Sequence, residues 1–135
     1  MSEPAVAQMP AVLQGNICIR PLSTHDAGPL ATAYARNRAY LQPWEPVRPD
    51  EFYAESGQRA AVAGALHEDA AGRSVHWLLA DADRVVGRIS LTDIVHGAFL
   101  NGHVGYWVDE DFQRRGLATE ALAHVCHVAA QQGLH

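Results

Sequence analysis

Two adjacent arginines stand where the chain enters a helix. Arg114 and Arg115 belong to the run QRRGLATEAL, residues 113–122, directly before apolar residues begin to recur at helical spacing. The start of a helix already carries partial positive charge, so cations there are disfavoured unless an anion lies beside them. Gly116 leaves the first backbone N–H groups accessible, and these have no acceptor inside the helix. The stretch therefore predicts a turn that binds a phosphate-like anion. A second interpretation stays open, in which the arginines pair in solvent with the acids at 109–111.

Composition limits what the rest of the chain can be. The 135 residues suffice for one domain with a buried core, and 48% of them are hydrophobic against 19% charged. A net charge of −5 argues against a nucleic-acid binder with a broad basic surface. Cys18 and Cys126 are far apart and have no metal-like spacing to histidine. We expect buried, reduced thiols and no metal site.

The N-terminal segment predicts neither a signal peptide nor an anchor. Residues 1–14 contain an early acid and two prolines, and we expect a loose tail ahead of one domain over residues 15–135. No stretch approaches the roughly 20 apolar residues that a membrane helix needs. We therefore predict a cytoplasmic protein with neither a membrane nor a nucleic acid as partner.

Hydrophobic spacing and turn residues predict the elements that position the arginine turn. They are, in order, a strand at 16–22, a helix at 26–41, a helix from 50, strands at 74–80, 85–95 and 103–109, and a helix from 117. Asp26 and Asp50 are the predicted N-caps. One face of the first helix is shared by Leu30, Ala33, Tyr34, Asn37 and Leu41. Short connections make the last three strands antiparallel. The fold class is therefore α+β, a mostly antiparallel sheet flanked by helices.

Several motifs resemble the GNAT superfamily of N-acetyltransferases. QRRGLA, residues 113–118, matches the Q/R-x-x-G-x-G/A signature of that family and lies between a strand, HVGYWVD, and a helix that begins with TEAL. IRPLSTHDAGPL and NRAYLQPWEP resemble the branch that contains the RimJ and RimL acetyltransferases of ribosomal-protein N-termini. The resemblance covers about residues 16–135 and implies the strand-helix-helix-strand-strand-strand-helix order given above.

The resemblance also implies a co-substrate and the residues that bind it. The donor is acetyl-CoA, the acceptor is a primary amine, and attack is direct within a ternary complex, with no metal. The backbone of Trp107 and Val108 pairs with the pantetheine arm as a neighbouring strand does, helped by a bulge at Gly105. The implied pyrophosphate site consists of Arg114, Arg115, Gly116, Leu117, Ala118 and Thr119.

A base must take a proton from the acceptor ammonium before the amine can attack. His103 is the favoured candidate, because it lies near the strand position where histone-type relatives place a glutamate and its pKa suits neutral pH. An exposed histidine at a strand start, without a catalytic role, is the alternative. Glu45 is the second candidate, with Trp44 as an apolar wall beside it. Three weaker candidates are His76, Asp93 and His96.

The chain departs from the family at its C-terminal end. Members continue after the third helix with a strand, a helix and two further strands, whereas this sequence ends at His135. A fragment is the favoured interpretation, and completion by a partner chain or a shortened stable module are the alternatives. The strand at 103–109 is then an open edge, which favours homo-oligomers. We expect reduced stability and little turnover of the chain alone.

The sequence supports three hypotheses about the function. The first is acetylation of a protein or peptide N-terminal amine, for example that of a ribosomal protein, with a small-molecule amine as the acceptor in a variant of it. The second is a non-catalytic acyl-CoA-binding or interaction module. The third is a structural domain, which predicts no thermal shift with acetyl-CoA.

Overall fold

A five-stranded antiparallel sheet with strand order β1-β2-β3-β4-β5 is the frame of the molecule. The computed structural model describes residues 10–95 and 101–131 of the chain. Its strands are β1 Ala11–Val12, β2 Cys18–Pro21, β3 Val75–Asp81, β4 Arg84–Val95 and β5 Asn101–Val108. Its α-helices are α1 Ala27–Leu41, α2 Glu55–Ala70 and α3 Leu117–Gln131. The predicted α+β class and the predicted element order are confirmed.

Helices α1 and α2 cover one face of the sheet and α3 covers the other, so each face has its own core. Successive strand residues point to opposite faces, so β4 contributes Val85 to one core and its neighbour Val86 to the other. The core under α1 and α2 contains Leu22, Leu30, Tyr34, Leu78, Val85 and Trp107. The core under α3 contains Ile19, Trp77, Leu79, Ile89, Val108, Leu117 and Val125. The predicted inner face of α1 is buried at all five positions.

Two predicted N-caps make other contacts in the structure. Asp26 receives no cap bond from α1; its carboxylate accepts from the backbone of Ser23 at 2.7 Å and pairs with Arg20 at 2.8 Å. Asp50 is the first residue of a 3₁₀ turn whose N-cap is Pro49, and its carboxylate accepts from Arg38 at 2.9 Å. The predictions were wrong because arginines from other segments compete for both carboxylates.

The second predicted helix is divided in two. A 3₁₀ turn, Asp50–Tyr53, is followed by the extended residue Ala54 and then by α2. The turn and the helix pack so closely that a Cβ on Gly57 would lie 2.0 Å from the carbonyl oxygen of Glu51. Glycine is therefore required at this junction.

The last residues of the expected tail lie on the sheet. Of residues 1–14 the structure describes 10–14, where Ala11 pairs with Ile19 of β2 and Leu13 is buried. The backbone N–H of Gln14 donates to Glu120 of α3 at 3.1 Å. This segment therefore reaches the first turn of α3.

Gly105 does not form the expected bulge. The β4–β5 register runs without interruption through Ser90 opposite Gly105, and its irregularity lies further along, between Thr92 and Val95. A Cβ at Gly105 would meet nothing within 4 Å. The glycine opens space above the sheet instead of bending the strand.

The thiol prediction was half wrong. Cys18 is half-buried, but Cys126 is exposed on α3, because Val125 and Val128 take the buried face of that helix. Within the described ranges no helix is long and apolar enough to cross a membrane.

Candidate active site

The turn before α3 has an unusual backbone. A 3₁₀ turn at Glu110–Phe112 ends β5, and the chain then reaches α3 through Arg114 at φ 63° and Gly116 at φ 72°. The left-handed conformation is unfavourable for arginine and natural for glycine. Residues 114–116 are exposed. The turn therefore presents arginine side chains and the first N–H groups of α3 to solvent together.

The acids beside the turn are engaged elsewhere. Asp109 is held by Arg36 at 2.7 Å, and Asp111 by Arg84 at 2.9 Å. Among the described residues no carboxylate lies within 4.0 Å of Arg114 or Arg115, and the Arg115 guanidinium lies 4.9 Å from the centre of the Phe112 ring. The alternative in which these arginines pair with the acids at 109–111 is not what the structure shows.

Asp109 joins the end of β5 to α1. Its buried carboxylate accepts from Arg36 Nε at 2.8 Å, Asn37 Nδ2 at 3.0 Å and the Asp111 N–H at 2.8 Å. Burial raises the pKa of Asp109, but the hydrogen bonds from Asn37, Asp111 and Arg36 outweigh it and the pKa lies below its ordinary value. Asn37 Oδ1 also accepts from the Glu110 N–H at 3.0 Å. The start of the arginine turn is thereby fixed to the sheet and helix.

The outer edge of β5, next to this turn, has no strand partner in the part of the chain that the structure describes. The N–H of Asp109 donates to the carbonyl of Val86 at 2.8 Å, and hydrogen bonds alternate along an antiparallel pair. The backbone of Trp107, opposite Arg88, therefore faces β4, whereas Val108 and Tyr106 face outward. Gln113 Nε2 donates to the outward carbonyl of Val108 at 2.8 Å. No strand within 10–95 and 101–131 pairs with this edge.

A cleft of about 390 Å³ opens over Gly105, between β4, β5 and the α1–α2 connection. Its aromatic side is a cluster in which Tyr34 stacks at 4.7 Å on Phe52 and accepts from Trp107 Nε1 at 3.2 Å. Its polar lining consists of Glu45, Arg48, Arg88 and Ser90. An apolar pocket with a few polar groups of both charges is typical of a small binding site.

Behind Ser90 lies a buried polar cluster. His76 Nδ1 is 2.9 Å from Ser90 Oγ and 3.1 Å from Arg88 Nη2, and His76 Nε2 is 3.7 Å from Asp69 Oδ1. Burial, aided by the Arg88 charge, lowers the pKa of His76 to about 4. Burial raises the pKa of Asp69, although the Ser74 hydroxyl donates to it at 2.6 Å. The imidazole is neutral at pH 7, and its Nδ1 accepts hydrogen bonds.

The structure brings some of the predicted residues together. Glu45 and Trp107 line the same cleft. His103 of β5 is exposed, lies opposite Thr92 of β4 and does not line that cleft. Trp44, the expected apolar wall, is 81% exposed and does not line the cleft. Among the weaker candidates His76 is buried, Asp93 is described only as part of β4, and His96 lies outside the described residues.

Sequence reasoning missed the polar residues that β4 contributes. Arg88 and Ser90 alternate with the buried Ile89 and Leu91 in the run RISL, so the signal was present. The cross-strand neighbours of these residues depend on register, which the sequence leaves open.

Known proteins resemble this chain along most of its length. A family model described as "Acetyltransferase (GNAT) domain" matches residues 16–135. The ribosomal protein uS5-alanine N-acetyltransferase of Escherichia coli (strain K12) is 31% identical over 122 residues, or 88% of this chain and 63% of that protein. A ribosomal-protein-S5-alanine acetyltransferase from Vibrio fischeri has TM-score 0.87 at 24% identity, covering 95% of this chain and 71% of that one. Mycobacterium smegmatis RimJ, solved in complex with CoA-disulfide, has TM-score 0.78 at 25% identity, covering 91% and 62%. The chain thus spans 63% of the length of the E. coli relative.

Proposed function

The chain belongs to the GNAT acetyltransferase family, as its motifs predicted, and from this membership we propose that it transfers an acetyl group from acetyl-CoA to a primary amine. One observation carries the proposal. Within the described ranges, two exposed arginines without carboxylate partners lie beside a strand edge that pairs with no other strand, and a cleft opens on one face of that edge.

The described residues fit the two ends of CoA. We assign the pyrophosphate to the turn, whose members are Arg114, Arg115, Gly116, Leu117, Ala118 and Thr119. The amides of the pantetheine arm match the outward backbone groups of Val108 and Tyr106, as an added strand would. To Trp107 we assign a wall of the cleft, because its backbone is directed to β4. Bound there, acetyl-CoA would supply an activated acetyl group at the mouth of the cleft.

The acceptor amine belongs in the cleft over Gly105. Its nitrogen must lose a proton to attack, so a carboxylate or imidazole has to lie within reach, directly or through one water. Glu45 lines the cleft and is our first choice for orienting and deprotonating the amine. His103 lies on the same strand face, two residues from Gly105, and is our second choice. The neutral His76 is too weak a base for this role at pH 7.

We propose a protein or peptide N-terminus as the acceptor. Two of the relatives are named as alanine acetyltransferases of a ribosomal protein, uS5 or S5. The cleft is open to solvent along the α1–α2 connection, where Trp44 and Val47 are 81% and 92% exposed and can contact a polypeptide. A small-molecule amine and a non-catalytic acyl-CoA-binding module are the competing assignments.

Binding and turnover separate these assignments. Acetyl-CoA should raise the melting temperature of residues 1–135, and mass spectrometry should detect an acetylated alanine peptide. Arg115→Glu should weaken acetyl-CoA binding about tenfold to hundredfold, because it removes a charged donor and adds repulsion. The matched control is Arg59→Glu, at an exposed arginine of α2 that pairs with Glu55 at 3.6 Å.

Each outcome is informative. No thermal shift would contradict acyl-CoA binding. A shift without any acetylated peptide or amine would favour the binding module. Equal affinities of Arg115→Glu and Arg59→Glu would overturn the pyrophosphate assignment.

A further inference from the structure

We propose that the cleft over Gly105 selects an acceptor amine that carries a carboxylate nearby, and that Arg88 and Ser90 bind this carboxylate. The inference rests on the proposed acetyl transfer and names the class of its acceptor.

Arg88 is a half-buried cation that forms no ion pair with any residue in the described part of the chain. Its Nη2 lies 3.1 Å from the neutral His76 Nδ1, and its Nε is buried with no hydrogen-bond partner. Among the described residues no carboxylate lies within 4.0 Å of the guanidinium; the nearby Asp69 contacts Ser74 and His76 instead. Sequestering a charge with an unsatisfied donor costs free energy unless a partner arrives. The guanidinium lines the cleft, so a ligand anion can be that partner.

The cluster behind the cleft holds Arg88 and Ser90 in place. His76 Nδ1 accepts from the Arg88 guanidinium at 3.1 Å, because arginine can only donate, and it lies 2.9 Å from the Ser90 hydroxyl oxygen. The imidazole brings no charge at pH 7, since burial lowers its pKa to about 4. It therefore fixes the position of the cation without adding charge, and among the described residues only Asp69, which lies beyond ion-pair distance, interacts with the guanidinium as an opposite charge.

The opposite wall of the cleft supplies the complementary charge. Glu45 lies there with Arg48, at 3.9 Å in a loose pair, and Arg48 stacks at 4.6 Å on Phe52. The described lining thus carries one carboxylate on the α1–α2 connection and one unpaired arginine on β4. An acceptor with an amine and a carboxylate can satisfy both walls, the amine at Glu45 and the carboxylate at Arg88. The absent side chain at Gly105 leaves room between them.

Competing substrates test this preference. We would measure kcat/KM for peptides that begin Ala-Glu, Ala-Gln and Ala-Lys, and for a free amino acid beside its amide. Wild type should prefer Ala-Glu over Ala-Gln about tenfold, the size of one charge-assisted hydrogen bond. Arg88→Gln should abolish this preference, and Arg88→Lys should restore part of it. Arg59→Gln serves as the control and should keep the full preference.

The outcomes distinguish the two levels of the proposal. The carboxylate subsite is overturned if peptides are acetylated without a preference for Ala-Glu, or if the preference survives in Arg88→Gln. In both cases the proposed acetyl transfer still holds. If the enzyme prefers the free amino acid over its amide but does not prefer Ala-Glu over Ala-Gln, the acceptor is a small molecule that uses the same subsite.

If no amine is acetylated, the proposed function fails and the subsite is tested by binding. Calorimetry with the Ala-Glu and Ala-Gln peptides should then show tighter binding of the acidic one in wild type only. Equal binding of the two peptides contradicts the subsite. Should Arg88→Gln fail to fold by circular dichroism, Ser90→Ala replaces it and should reduce the preference about threefold.

Discussion

At the scale of single residues, Asp109 determines which arginines are paired and which stay available. Its buried carboxylate attracts Arg36 and Arg84, while Arg84 also holds Asp111. Asp109 and Asp111 are therefore paired with Arg36 of α1 and Arg84 of β4. Arg114 and Arg115 are left exposed, which is what an anion-binding turn requires.

Asp109→Asn should destabilise the fold by about 2 kcal/mol, because it removes the charge that Arg36 and Asn37 contact around a buried carboxylate. The folded-state pKa of Asp109 lies below its ordinary value, so its contribution is present above the unfolded pKa of about 3.9. It is lost as the pH falls through the folded pKa. Urea unfolding at pH 7 and at pH 3 measures both effects. Asp111→Asn, at a carboxylate that is 68% exposed, is the control and should cost under about 0.5 kcal/mol; equal costs would contradict the assignment.

His76 should make stability fall with acid in a different pH window. Its folded pKa of about 4 lies below the unfolded value of about 6.5, so the unfolded chain takes up the proton first. Stability should therefore decline between about pH 6.5 and pH 4, by on the order of 3 kcal/mol in all. His76→Gln should flatten this part of the profile, measured by urea unfolding at half-unit steps. The control is His25→Gln, at an exposed histidine, which should leave the profile unchanged. If His76→Gln shows the same slope as the wild type, the prediction is refuted.

At the scale of elements, Gly57 fixes the junction that carries one wall of the cleft. The 3₁₀ turn at Asp50–Tyr53 contains Phe52, and Gln58 Nε2 donates to the Phe52 carbonyl at 2.7 Å. Phe52 in turn stacks on Tyr34. The distance between this turn and α2 therefore sets the shape of the cleft over Gly105.

Gly57→Ala should destabilise the chain by about 2–3 kcal/mol, since the new Cβ would lie 2.0 Å from the Glu51 carbonyl oxygen. Gly64→Ala in the same helix meets nothing within 4 Å and should stabilise by about 0.5–1 kcal/mol. Thermal unfolding of both variants gives the comparison. Gly57→Ala should also raise KM for the acceptor peptide more than KM for acetyl-CoA. Two variants with the same melting temperature would show that the junction tolerates a side chain.

Local spacing was enough to predict the elements, because hydrophobic periodicity is a property of short stretches. It did not predict the partners of Asp26 and Asp50, whose carboxylates bind arginines from other segments, nor the regular strand at Gly105. For the same reason the sequence indicates the arginine turn and Glu45 as candidates, because their signals are local, whereas it did not indicate Arg88 and Ser90. The contact of these residues with His76 requires the register of β3 against β4.

At the scale of the whole molecule, β5 is the last strand of the sheet among residues 10–95 and 101–131. Val104 and Tyr106, on the α3 face of β5, are 45% and 55% exposed beside the unpaired backbone edge. An apolar, unpaired edge is a template for pairing with another strand. The same backbone groups are those that we assign to the pantetheine arm, so self-association and acetyl-CoA binding should compete.

Residues 1–135 should therefore associate through β5 in a concentration-dependent way, and acetyl-CoA should shift the equilibrium towards monomer. Sedimentation velocity between about 5 and 200 μM, with and without acetyl-CoA, measures this competition. Tyr106→Lys should weaken association about tenfold or more, because a cation on an edge strand opposes pairing in that position. Val47→Lys changes a side chain that is 92% exposed on the α1–α2 connection and should leave association unaltered. Association that acetyl-CoA does not reduce, or that both lysine variants weaken equally, would place the contact elsewhere and remove the β5 edge as the shared site.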